Sequence, residues 1–127
     1  MNLRQINRLI DIAQGISIDK QINKRTRHYA FILNKNKIIS IGTNSLKTHP
    51  KVIKYNYHKN AGIHAELAAI IKSGTLFHKN NKMITFRFDN SGNLNIGKPC
   101  PSCQKLISSL GFKEIWYSQS SGNFQKF

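Results

Sequence analysis

Leu3, Ile6, Leu9, Ile10, Ala13 and Ile16 recur at steps of three and four, so residues 3 to 15 predict an amphipathic helix. Residues 16 to 27 are polar and basic and read as a connection. The pattern then changes to short apolar runs. Tyr29-Ala30-Phe31-Ile32-Leu33 and Lys37-Ile38-Ile39-Ser40-Ile41-Gly42 predict two strands around Asn34-Lys35-Asn36, a hairpin turn by composition. Residues 45 to 62 are too polar for a core and rich in Lys, Tyr and His. They predict a loop over a site, where substrate contacts tend to lie, with Tyr55 and Tyr57 available to stack on a base.

Helical spacing returns at His64 to Ser73, with Leu67, Ala68, Ile70 and Ile71 inward and Gly74 as the C-terminal cap. Met83 to Phe88 predicts a third strand, Asp89 to Asn93 a turn, and Leu94 to Lys98 a lead into the next motif. Pro101 suits the first turn of a helix running to about Leu110, with Gly111 ending it. Lys113 to Tyr117 predicts a fourth strand; Ser118 to Asn123 reads as a turn and Phe124 to Phe127 as a short strand. The order is that of an α/β fold: a mixed sheet of about five strands, ending in an antiparallel hairpin. At 127 residues the chain, 1 to 127, is expected to form one domain, long enough for a single core but not for two.

Two motifs stand at predicted helix starts. His64-Ala65-Glu66 opens one helix, and Pro99-Cys100-Pro101-Ser102-Cys103 opens the other. His64, Cys100 and Cys103 offer three zinc ligands, and three protein ligands leave the fourth tetrahedral position open, as a catalytic site needs. Read as residues alone, the cysteines also fit a redox pair. A closed structural zinc site would need a fourth ligand, for which His28, His49, His58 and His78 are available. Glu66, in the first turn of a helix, fits an ordinary carboxylate favoured by the helix dipole. The coincidence of all these residues in one order argues against each bland reading.

In that order, His-x-Glu followed by Pro-Cys-x-x-Cys, the chain resembles the cytidine deaminase-like superfamily. Gly42-Thr43-Asn44, closing the second strand, is similar to the Gly-x-Asn of many members, and the element order matches over roughly residues 1 to 118. The resemblance implies a three-layer α-β-α fold with helices on both faces of the sheet, and a zinc ion held by His64, Cys100 and Cys103. It implies that Glu66 is the catalytic proton shuttle, taking a proton from water, giving it to the ring nitrogen and later helping ammonia to leave. It further implies substrate contacts from Asn44, to a sugar hydroxyl, and from Ala65 and Pro99. His49 is a weaker candidate at the pocket.

The C-terminal end departs from one branch. It has no room for the helix that joins the fourth strand to a parallel fifth in deoxycytidylate deaminases, and looks like the hairpin of free cytidine deaminases. Those usually carry Cys where this chain has His64. The motif therefore implies a reaction and leaves the substrate open: a free cytosine nucleoside or nucleotide first, cytosine or adenine in single-stranded DNA or RNA second, and an idle zinc-binding nucleic-acid module third.

Charge bears on that choice. Twenty Lys and Arg against five Asp and Glu give a net charge of +15, with clusters at Lys20, Lys24, Arg25 and Arg27 and at Lys47, Lys51, Lys54 and Lys59. Such a balance fits contact with polyanions, with mainly non-specific, salt-sensitive affinity. Abundant Lys, Asn and Ile also reflect AT-rich codons, but the scarcity of acids is not explained that way. No apolar run approaches a membrane span and no secretory signal pattern opens the chain, so no membrane partner and a reducing, cytoplasmic setting are expected. Members of this size commonly assemble, so a homo-oligomer is expected as well.

Overall fold

Tyr29 to Leu33 is an uninterrupted apolar run because both of its faces are covered. In the computed structural model, which describes residues 2–19, 28–44, 64–74, 79–89 and 91–127, this run is the middle of β1 (His28–Asn34), and all five residues are fully buried. Tyr29, Phe31 and Leu33 point to one side, where they meet Leu9 and Ala13 of α1 (Leu3–Asp19) together with Ile84, Phe86 and Phe88. Phe86 stacks on Phe31 with ring centroids 5.4 Å apart. Ala30 and Ile32 point to the other side. There they pack with Ala65, Leu67, Ala69 and Ile70 of α2 (Ala65–Ser73) and Leu106 and Ile107 of α3 (Pro101–Leu110). Continuous apolar sequence is what a strand covered on both faces requires.

The sheet is mixed and runs β2-β1-β3-β5-β6, with β2 at Lys37–Thr43, β3 at Asn81–Phe88, β5 at Glu114–Ser118 and β6 at Phe124–Lys126. β1 pairs antiparallel with both β2 and β3, β3 and β5 are parallel, and β5 and β6 close an antiparallel hairpin. This is the three-layer α-β-α arrangement with the expected C-terminal hairpin. Gly74 and Gly111 end α2 and α3 in left-handed caps, at φ 66° and 73°.

Several boundaries differ from the sequence expectation. The first helix extends to Asp19 rather than ending near residue 15. Among the described residues the sheet has six strands where the sequence predicts about five, because Leu94–Asn95, read as a lead-in, forms β4 against the end of β3. Two residues carry no period to read. Ser118, read as a turn residue, is the last residue of β5 and is buried, its hydroxyl donating to the Asn95 carbonyl at 2.6 Å and accepting the Arg87 N–H at 3.3 Å. The expected loop at 45 to 62, with His49, Tyr55, Tyr57 and His58, lies outside the described residues, as do His78 and both basic clusters.

Two close approaches fix what surrounds the motifs. α2 lies so near β2 that a Cβ on Gly42 would run into the Ala65 carbonyl oxygen and the Ala69 amide nitrogen, and would sit 2.9 Å from the Ala69 Cα. The Ser40 hydroxyl donates to the Ala69 carbonyl at 2.7 Å across the same contact. Gly97 also passes close to β3, where a Cβ would lie 2.7 Å from the Phe86 Cα.

Candidate metal and active site

His64 and Cys100 occupy the same local position in two helices. Each is the extended N-cap residue, at φ −74°, ψ 152° and φ −67°, ψ 166°, immediately before α2 and α3 respectively. Pro101 sets the first turn of α3, where its missing N–H costs nothing. The crossover through α3 between the parallel strands β3 and β5 brings that helix start beside the start of α2, the end of an α/β sheet where ligands bind. Cys103 follows one turn later and is fully buried.

The three side chains converge. His64 Nδ1 lies 3.4 Å from Cys100 Sγ and 3.5 Å from Cys103 Sγ, and the three potential ligand atoms all fall within 4.8 Å of one another. A tetrahedron with zinc–nitrogen bonds of about 2.0–2.1 Å and zinc–sulfur bonds of about 2.3 Å has nitrogen-to-sulfur edges of about 3.5 Å. The donor set and its spacing therefore fit zinc with one position left open. Because Nδ1 faces both sulfurs, the imidazole must carry its proton on Nε2 to serve as a ligand. The Cys100 thiol is lowered to about 5, first by the Cys103 thiol and then, against the cost of burial, by the Cys103 N–H that its sulfur accepts at 3.4 Å. Among the described residues no other group of three such side chains could hold a metal ion.

Glu66 lies in the first turn of α2 and is fully buried. Burial alone would push its carboxyl up. The charge of His28 outweighs that, with help from the Cys103 thiol, and holds the carboxyl below its ordinary value. His28 Nε2 stands 3.0 Å from Glu66 Oε1, at ion-pair distance but without the alignment of a directed hydrogen bond. Burial correspondingly presses the imidazole down, yet the Glu66 carboxylate raises it above its usual value, assisted by the Gly97 backbone and opposed by Arg87. Buried opposite charges that compensate each other in this way mark candidate functional sites.

Asn44 is tied to the same residue. Its side-chain Oδ1 accepts the His28 N–H at 3.2 Å, and its own N–H donates to the His28 carbonyl at 3.3 Å. Ala65 is fully buried as the first residue of α2, and Pro99 is buried with its carbonyl accepting from Gln104 Nε2 at 2.8 Å. His64, Cys100 and Cys103 thus come together, with Glu66 beside them, and Asn44 joins through His28. The sequence offers His28 only as one of four histidines available as a fourth metal ligand. It stands with Glu66 and outside the trio. Nothing in its local sequence signals that pairing, which arises because the start of β1 lies under the start of α2.

The comparisons with known proteins follow the same lines. The family model described as the cytidine and deoxycytidylate deaminase zinc-binding region matches residues 4–119. Among curated protein sequences none matches the chain. Among solved structures, the dCMP deaminase of the cyanophage S-TIM5 in its apo form is similar at TM-score 0.59 and 21% identity, over 94% of this chain and 86% of that one. Its complex with dCMP and dUMP gives TM-score 0.62 and 17% identity, over 96% and 89%. Guanine deaminase from Bacillus subtilis gives 0.57 and 22%, over 94% and 65%. At these identities the structural likeness establishes the fold, while the family match spans nearly the whole chain. The chain belongs to the zinc-binding cytidine and deoxycytidylate deaminase family, whose members are hydrolytic deaminases.

Proposed function

We propose that residues 1–127 act as one zinc-dependent deaminase domain that converts a free cytosine nucleoside or nucleotide to its uracil form. The observation that carries this reading is the convergence of His64, Cys100 and Cys103 at two helix starts with a buried carboxylate, Glu66, two residues from the first donor. Zinc, when bound by the three, supplies the Lewis acidity that makes water a nucleophile near neutral pH. The chain's residues do the rest. Glu66 takes a proton from the water, delivers it to the ring nitrogen beside the amine-bearing carbon, and assists protonation of the leaving amine. One C–O bond forms, one C–N bond breaks, and ammonia departs. Asn44 holds the sugar, and Ala65 and Pro99 border the base.

The dCMP and dUMP in the cyanophage complex are the substrate and product of this conversion, which supports a nucleotide as substrate. The net charge of +15 favours a second reading, cytosine or adenine in a single strand held by its phosphates. Ammonia release from cytidine, deoxycytidine, their monophosphates, guanine and single-stranded oligonucleotides separates the two. The first reading expects turnover of a free cytosine compound. Turnover confined to oligonucleotides, falling steeply with salt, would replace it with the second.

A further inference from the structure

His28 touches both the carboxylate and the asparagine of the site, and it does so through different atoms. Its ring stands 3.0 Å from the buried Glu66 carboxylate. Its backbone is hydrogen-bonded in both directions to Asn44. We propose that His28 is a positioning residue: its ring holds the Glu66 carboxylate beside the metal donors, and its backbone holds Asn44. The inference rests on the deaminase reading above.

Stability gives a weak account of this pair. Taking a carboxylate and an imidazolium out of water carries a desolvation cost that their attraction need not repay, and an apolar pair of similar volume often packs as well or better. Glu66 is fully buried, whereas the His28 side chain keeps 21% of its surface exposed. His28 therefore borders open space while Glu66 does not. A proton shuttle must stay within reach of both water and base, and a flexible carboxylate does so only when something fixes it. Among the described residues the groups facing the carboxylate are His28, Cys103 and His64. Of these, His64 and Cys103 belong to the metal donors, so His28 is the side chain available for that role. Arg87, opposite His28 across the β1–β3 pairing, bears on the imidazole as a second positive charge.

The division between ring and backbone makes the inference testable. In zinc-loaded His28→Gln, turnover should fall about tenfold or more while KM stays within about twofold, because the Asn44 bonds are to the backbone. Asn44→Ala should do the reverse and act mainly on KM. Zinc content and melting temperature, measured on each variant, identify one that fails to fold, and His28→Asn serves as the second variant. A His28→Gln enzyme with wild-type kcat, or one whose loss lies wholly in KM, would overturn the inference. A readout independent of activity is the ¹⁵N spectrum of the ring. The inference expects the ring of His28 in the zinc-loaded wild type to lose its second proton at a higher pH than in Glu66→Gln; the same titration midpoint in both proteins overturns it. Wild-type protein that releases no ammonia from any substrate, while the His28 midpoint still depends on Glu66, counts against the deaminase reading and leaves the pairing standing.

Discussion

Cys100 caps a helix and offers a thiolate with the same sulfur. Its thiol is lowered to about 5, so at neutral pH the group is ready to bind a metal before any ion arrives. Glu66 and His28 repeat the pattern with opposite charges, and their effect on stability has a definite sign. The folded imidazole lies above its ordinary 6.5, so its contribution is complete below 6.5 and is lost as pH rises through the folded value. The folded Glu66 carboxyl lies below its ordinary 4.5, so its contribution is complete above 4.5 and is lost as pH falls through the folded value. Arg87 and Glu66 are the charges that set the imidazole. The urea midpoint of wild type minus that of His28→Gln should be largest near pH 6 and shrink towards pH 9. A difference that stays constant or grows with pH would contradict the pairing. The metal donors were legible because their residue types and order are tied to one chemistry. His28 was not, because a histidine at a strand start has no signature and its partner is set by packing.

At the scale of elements, the site depends on two helix N-termini held at fixed distances from the sheet. Gly42 sets one of them, since any side chain there meets the backbone of Ala65 and Ala69. Those residues flank Glu66, so Gly42→Ala should push the start of α2 outward. Overpacking of this kind costs about 1–3 kcal/mol. Urea denaturation should register that loss together with weaker zinc retention, because His64 moves with the helix. Full stability and full zinc content in the variant would show that α2 is not held by this contact. The helices and longer strands were readable from period and caps, as at Ile6, Leu9, Ala13 and Gly74. The two residues of β4 were not, nor was the strand end at Ser118, where burial overrides a turn-like composition.

For the whole molecule, the layers explain where chemistry can occur. α1 closes one face of the sheet through Leu9 and Ala13. α2 and α3 close the other and bring their first turns together. Among the described residues no helix is long and apolar enough to cross a membrane. The positive charge of +15 is a property of the chain as a whole and acts on partners rather than on the fold. It could not be converted into a substrate from sequence, because long-range charge attracts a nucleotide and a strand alike. The central claim is that zinc is held by His64, Cys100 and Cys103 while Glu66 carries the protons. The most direct test measures bound zinc and ammonia release side by side in wild type and Glu66→Gln. About one zinc per chain in both proteins, with turnover in the wild type alone, is the predicted result; a Glu66→Gln protein that still releases ammonia at the wild-type rate would contradict it.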